Sequence, residues 1–202
     1  MKPSAVLYIS IDIEAVGDNP HDSTMVQAGL VAYERTGPGQ EGRRRIGSLS
    51  VNFKPDKPDP KQVEWFNSTT QLAATYASFS VDAQEPAAGM DQIRAWMLAM
   101  REGYTEVYTV AMPTIFDGTF MYYYFMRFLP QTKGARGTGL FAMIDVRSYA
   151  SGKLGCSYGE ANKNKPALAP YMPDPAAFPH THTGVDDAEE QLMILFNLMD
   201  AK

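Results

Sequence analysis

The 202-residue sequence contains only one cysteine, Cys156. A single thiol can form neither an internal disulfide nor a thiolate metal site, so the sequence excludes disulfide scaffolds and cysteine-based metal modules. We therefore expect Cys156 to be a small packed residue and the protein to function in a reducing cytoplasm.

Long hydrophobic runs are also missing. A bilayer span needs about 20 apolar residues, whereas the apolar run from Ala5 to Ile11 is ended by Asp12. No small-residue cleavage site follows that run. The sequence therefore predicts a soluble, unexported protein with no membrane partner.

The chain lacks the positive charge that nucleic-acid-binding proteins usually carry, since its formal net charge is −5. That deficit normally argues against a nucleic-acid partner. Divalent cations bound among several acidic residues reverse the local sign of the charge, however. The acidity therefore leaves a nucleic-acid partner open.

The sequence does contain enough apolar residues for one substantial core, with 45% hydrophobic and 11% aromatic residues. A chain of this length does not demand a second domain, so we predict a single domain over 1–202. Hydrophobic periodicity and turn residues predict three antiparallel strands first, then alternating helices and strands. The predicted strands are 5–15, 25–34, 46–53 and 105–112, the predicted helices start at Met90 and about Asp117, a strand–helix pair covers 139–155, and a last helix covers Val185 to Met199.

Two carboxylates lie near the end of the first predicted strand. Side chains alternate between the faces of a strand, so Asp12 and Glu14 share one face while Ile11 and Ile13 share the other. Adjacent like charges raise the pKa of one or both groups unless a cation neutralises them. Oxygen ligands of this kind suit magnesium or manganese. The alternative is that both residues simply end the strand in solvent.

Asp117 lies at the predicted start of a helix. Apolar residues three, four, seven and eight positions later place it on the inward face. Aspartate is also favoured as a helix cap. Asp117 is thus either a cap or a carboxylate directed toward Asp12 and Glu14.

The segment HTHTGVDDAEEQ precedes and begins the last helix. Thr183 and Asp186 have capping-box spacing, which explains both without chemistry. Asp187 lies beyond the cap, and His182 lies ahead of it, where a near-neutral histidine beside a metal cluster can accept a proton from water. We interpret His180 as a polar loop residue rather than a phosphate contact, and His21 as an exposed loop residue.

In order and spacing, SIDIEA, FDGTFMYYYF and HTGVDDA resemble the three motifs of the DEDDh exonucleases. The histidine of that family stands five residues before its last aspartate, as His182 stands before Asp187. The tyrosine-bearing sister class would have tyrosine at position 183, which is threonine here. The chain is most similar to single-domain bacterial and phage exonucleases. It departs from many members at Pro113, where they carry asparagine, which affects a substrate contact rather than the carboxylates.

This resemblance implies a ribonuclease-H-like α/β fold, a mixed β-sheet flanked by helices. It also implies a 3′→5′ exonuclease that acts on single-stranded DNA or RNA ends with two divalent cations, Mg²⁺ or Mn²⁺. In that family's mechanism, Asp12, Glu14 and Asp187 hold one ion, Asp12 bridges to a second, and Asp117 contributes through water. One ion lowers the pKa of the attacking water, His182 removes its proton, and the other ion stabilises the leaving 3′ oxygen.

Two other interpretations stay open at this point: a catalytically silent nucleic-acid-binding domain of the same fold, and an acidic calcium- or magnesium-binding module. The sequence leaves undecided the choice between DNA and RNA, the preferred metal, the pathway and the oligomeric state, with a homodimer among the options. Candidate substrate contacts are aromatic or basic side chains. They are Phe116, Phe120, Tyr124, Arg43, Arg44, Arg45, Lys163 and Lys165.

Overall fold

The computed structural model of the protein describes residues 5–55, 58–130 and 135–202. Its strands are β1 (Val6–Val16), β2 (Thr24–Arg35), β3 (Arg43–Asn52), β4 (Val107–Ala111) and β5 (Met143–Asp145). Its α-helices are α1 (Pro60–Phe66), α2 (Thr70–Ser78), α3 (Pro86–Arg101), α4 (Thr114–Phe128), α5 (Val146–Leu154) and α6 (Gly184–Asp200). Within these ranges, no helix is long and apolar enough to cross a membrane.

The five strands form one mixed sheet in the order β3-β2-β1-β4-β5. The first three strands are antiparallel neighbours, whereas β4 pairs in parallel with both β1 and β5. The predicted mixed sheet and the three leading antiparallel strands are therefore confirmed. The central strand β1 is paired on both sides, which explains its run of β-branched and aromatic residues.

Helices cover both faces of the sheet. The odd-numbered residues of β1, including Ile9 and Ile11, pack with α3 and α4 in one core, and Tyr8 packs with α5 and α6 in a second. A smaller cluster around Phe66 joins α1 to the ends of β1 and β2. Because side chains alternate along β1, Asp12 and Glu14 lie on the α6 face. The predicted alternation is confirmed.

The helix predicted from about Asp117 begins three residues earlier, at Thr114. Asp145, at the end of β5, provides the cap: its Oδ2 accepts hydrogen bonds from the Thr114 amide at 2.7 Å and from the Thr114 hydroxyl at 3.3 Å. A cap supplied from a distant segment leaves no local sequence signal. Asp117 therefore lies inside the first turn of α4, and its interpretation as a helix cap is wrong.

The first turn of α6 lies directly against β2 through two glycines. A Cβ atom on Gly29 would be 1.9 Å from the carbonyl carbon of Gly184, and one on Gly184 would be 2.6 Å from the Gly29 nitrogen. Gln27 Oε1 also accepts a hydrogen bond from the Gly184 amide at 2.6 Å. Because Gly29 is the partner of Asp12 in the β1–β2 register, this contact brings the start of α6 beside Asp12.

Replacing Gly29 with alanine should lower the free energy of unfolding by about 3 kcal/mol or more. Overpacking typically costs about 1–3 kcal/mol, and here the obstructing atoms are backbone rather than flexible side chain. Urea denaturation measures the loss.

Gly152 in α5 is the matched control, since a Cβ there meets nothing within 4 Å. Gly152→Ala should raise the free energy of unfolding by about 0.5–1 kcal/mol, as expected for alanine in a helix interior. Equal stability of the two variants would contradict a forced contact at Gly29.

Candidate active site

Three carboxylates converge where β1 passes the start of α6. One ligand oxygen from each of Asp12, Glu14 and Asp187 lies within 4.8 Å of the other two. Asp12 and Glu14 are partly buried on the strand, and Asp187 is only 3% exposed in the first turn of α6. An all-oxygen donor set of this size fits hard divalent cations such as magnesium or manganese.

Asp117 reaches the same end of the sheet from α4. Strand β4 pairs with β1 only as far as Ser10, so the Ile13 amide lies beyond the paired segment. Asp117 Oδ1 accepts a hydrogen bond from that amide at 3.0 Å, with the side chain 2% exposed. The carboxylate thus satisfies a strand-edge amide and adds its charge to that of Asp12 and Glu14.

Burial and mutual repulsion make these acids hard to ionise. Burial, followed by the charges of Asp117, Glu14 and Asp187, raises the pKa of Asp12 well above its usual range. Burial and the neighbouring carboxylates raise the pKa of Glu14 to about 8. Burial raises the pKa of Asp117 to about 7, despite the Ile13 hydrogen bond that lowers it. A bound cation would relieve this strain, because opposite charge favours the ionised forms.

His182 lies beside the carboxylates in an unusual backbone conformation. Its φ of 56° is in the left-handed region, which non-glycine residues seldom adopt. The ring packs edge-on against Trp65, with centroids 5.5 Å apart, and lies 4.5 Å from the His180 ring. Burial and the charge of His180 lower the pKa of His182. At neutral pH its imidazole is therefore uncharged and can accept a proton.

A charged network that the sequence did not reveal borders the carboxylates. His180 Nδ1 lies 3.1 Å from both Asp187 Oδ1 and Glu190 Oε2, and Lys163 Nζ lies 2.6 Å from the same Glu190 oxygen. Hydrogen bonds to Asp187 and Glu190 raise the pKa of His180 to about 9. His180 lies in the loop before α6, as predicted, and its ring also takes part in this network. The only sequence signals were the His-Thr-His spacing and a glutamate one helical turn after Asp187.

The predicted capping box at the start of α6 does not form among the described residues. The Thr183 hydroxyl donates to Asp186 Oδ2 at 3.1 Å instead of capping a helix amide, and the Thr181 hydroxyl donates to the same oxygen at 2.7 Å. Asp186 therefore fixes the loop to the helix, as its structural interpretation predicted, although by a different bond. The Thr181 amide donates to Asp187 Oδ1 at 3.1 Å.

Most candidate substrate contacts are engaged elsewhere. Phe120 and Tyr124 are buried in the core, since their helical spacing reflects packing. The arginine triplet 43–45 is paired with acidic residues of β2 and α6. Trp65, which the sequence did not single out, is 42% exposed beside His182. Its side chain is an accessible aromatic surface next to the carboxylates.

Without metal ions, the protein should become more stable as the pH falls from about 9 to about 6. The Glu14 carboxyl has a pKa of about 8 in the folded chain against an ordinary 4.5, so across this interval the folded state binds more protons than the unfolded state. Thermal denaturation in EDTA measures the slope.

Glu14→Gln should weaken that pH dependence without abolishing it, because the raised pKa values of Asp117 and His180 act in the same direction. Glu41→Gln, at an exposed glutamate, should leave it unchanged. Magnesium should raise the melting temperature most at the alkaline end, where the carboxylates are ionised. If the melting temperature of the metal-free protein decreased as the pH was lowered from about 9 to about 6, the result would contradict the raised pKa of Glu14.

The chain matches no family model and no curated protein. Its fold is similar to solved structures of exonuclease I. The exonuclease I of Methylocaldum szegediense has 15% identity and a TM-score of 0.61 over 98% of this chain and 41% of that chain. Escherichia coli exonuclease I in complex with a dA16 oligonucleotide has 17% identity and a TM-score of 0.56, over 96% and 40% of the two chains.

The zinc-ion-bound form of the E. coli exonuclease I–ssDNA complex has 16% identity and a TM-score of 0.55, over 98% of this chain and 40% of that chain. The present chain thus spans about two fifths of the chain in each of these three structures. At such identities the likeness establishes the fold. The predicted α/β architecture, a mixed sheet flanked by helices, is therefore confirmed as the one found in these exonuclease I structures.

Proposed function

We propose that this chain is a metal-dependent exonuclease that removes nucleotides from the 3′ end of single-stranded nucleic acid. One observation carries the proposal: four carboxylates from β1, α4 and α6 and the imidazole of His182 meet at one end of the sheet. A calcium- or magnesium-binding module would use the carboxylates but not the imidazole, because these cations bind oxygen ligands. The fold shared with exonuclease I is consistent with the proposal.

Asp12, Glu14 and Asp187 would hold a divalent cation, magnesium or manganese, with Asp12 shared with a second ion and Asp117 contributing from α4. When bound, such ions lower the pKa of water and stabilise the charge that develops on a leaving oxygen. The residues themselves contribute fixed positions. Asp12 and Glu14 are held by strand pairing, and Asp187 is held by its bond from the Thr181 amide. This rigidity keeps the site open to a cation without rearrangement.

His182 would accept the proton of the attacking water. Its lowered pKa keeps the imidazole neutral, and the ring is fixed between Trp65 and His180. A general base must be uncharged before the reaction and close to the water it deprotonates. One nitrogen of the His182 ring lies within 4.8 Å of a carboxylate oxygen of Asp187.

Trp65 would stack on the base of the terminal nucleotide. Proteins that bind single strands without sequence preference place bases on aromatic faces, and Trp65 is exposed on α1 next to His182. E. coli exonuclease I, one of the structural neighbours, forms a complex with single-stranded DNA. We extend that substrate class to this chain and leave DNA and RNA to be compared directly.

Removing His182 should lower kcat about 10²–10⁴-fold, the usual contribution of a general base, and Asp12→Asn should nearly abolish turnover. The assay follows 5′-labelled single-stranded DNA and RNA, side by side, in manganese or in EDTA. A metal-dependent ladder that shortens from the 3′ end is the expected result.

Asp18→Asn is the control, because Asp18 is an exposed aspartate near the same end of β1. Circular dichroism should show that all three variants fold. Full activity in both Asp12→Asn and His182→Ala would sink the proposal, and intact substrate with the unsubstituted protein would favour a silent nucleic-acid-binding domain.

Trp65→Ala should raise KM for single-stranded ends about 10-fold with a smaller effect on kcat, because base–aromatic stacking contributes about 1–3 kcal/mol. Trp65→Phe should retain most of the affinity. Phe141→Ala removes a more exposed aromatic, 74% accessible, and should leave KM unchanged. A KM shift of equal size in the Trp65→Ala and Phe141→Ala variants would argue against stacking at Trp65.

A further inference from the structure

A second group of possible metal ligands overlaps the carboxylate cluster at one residue. One ligand atom from each of His180, His182 and Asp187 lies within 4.8 Å of the other two. The donor set is two imidazole nitrogens and one carboxylate oxygen. Imidazole ligands suit zinc and other transition metals, whereas magnesium prefers oxygen alone. The two groups therefore favour different ions while competing for Asp187.

Two of the three ligand atoms lie near the separation that a tetrahedral zinc site requires. Zinc bonds of about 2.0–2.2 Å to nitrogen and oxygen place neighbouring ligand atoms about 3.3 Å apart in a tetrahedron. His180 Nδ1 and Asp187 Oδ1 are 3.1 Å apart, so these two atoms can share an ion with little movement. Three protein ligands with an open fourth position are typical of zinc sites that exchange a ligand.

The surrounding residues hold both rings in place. His182 has a left-handed backbone conformation, and its ring packs against Trp65. Glu190 Oε2 lies 3.1 Å from His180 Nδ1 and is itself bonded by Lys163. This contact fixes the position of the His180 ring before any ion binds. The rings are thus fixed near each other by contacts that do not depend on an ion.

We infer that His180, His182 and Asp187 form a zinc-binding site whose occupation switches off the proposed nuclease. Zinc there engages the imidazole that would accept the proton and the carboxylate that would hold the catalytic cation. Inhibition by zinc rests on the proposed function, whereas zinc binding itself does not. His180 is the discriminating ligand, because it belongs to the zinc group and not to the three-carboxylate group.

The binding test uses metal-stripped protein and needs no catalytic readout. Isothermal titration with zinc in the presence of millimolar magnesium should show one zinc per chain, and cobalt substitution should give the visible absorption of a tetrahedral site. Ligation requires His180 to lose a proton that its surroundings favour, so the titration is run at mildly alkaline pH.

His180→Gln should weaken zinc binding at least about 10-fold, the lower bound for losing even an orienting neighbour of a metal site, and should abolish the cobalt spectrum. His21→Gln is the matched control, because the chain has three histidines and His21 is exposed and paired with Asp22. Equal zinc affinity in His180→Gln and the unsubstituted protein, or no zinc binding at all, would overturn the site.

The functional arm compares zinc inhibition with each protein's own magnesium-dependent rate. Zinc should inhibit the unsubstituted protein and His21→Gln, and inhibit His180→Gln only at concentrations at least about 10-fold higher. Zinc binding at the predicted ligands with unchanged nuclease rate would overturn the switch while keeping the site. Absence of any nuclease rate with magnesium would defeat the proposed function and leave the calorimetric result standing.

Discussion

The contact between Gly29 and Gly184 is the constraint on which the candidate site depends. Two backbones approach so closely there that neither residue tolerates a Cβ atom. Gln191, two turns further along α6, donates to the Ile11 carbonyl at 2.7 Å and anchors the helix a second time on the central strand. Because Gly184 and Gln191 fix both ends of this segment, Asp187 lies beside Asp12 and Glu14. The carboxylate cluster is thus a consequence of how α6 lies on the sheet.

That placement costs electrostatic free energy in the metal-free chain. Buried carboxylates repel one another and are poorly hydrated, so their ionised forms are disfavoured. The network of Lys163, His180 and Glu190 supplies positive charge only along one border: the charges of Lys163 and His180 lower the Glu14 pKa, yet it still lies at about 8. A divalent cation bound at the carboxylates would neutralise the remaining negative charge. On the same side, Asp187 also lies near the imidazoles of His180 and His182. Asp187 therefore belongs to two groups of possible ligands, one of carboxylates and one with two imidazoles.

The local sequence pattern was sufficient to predict features that depend only on residues adjacent in the chain. The alternation around Asp12 and Glu14 predicted their common face, because strand geometry is local. The local pattern failed to predict the hydrogen bonds at the starts of α4 and α6. Asp145 caps α4 from 31 residues away, which moved the helix start and placed Asp117 inside the first turn. Thr183 and Asp186 have capping-box spacing, yet the side chains bond to each other and to Thr181.

The sequence by itself determined the order of strands and helices and the common face of Asp12 and Glu14 and, through a resemblance, implied the fold class, the five residues proposed for catalysis and the reaction to test. These depend on periodicity and on motif spacing, which a linear chain carries in full. Only the tertiary structure decided that His180, Glu190 and Lys163 form a network, that Trp65 is the exposed aromatic beside His182, and that Phe120 and Tyr124 are core. Each depends on segments far apart in the chain meeting in space, and spacing along one segment does not encode the position of another.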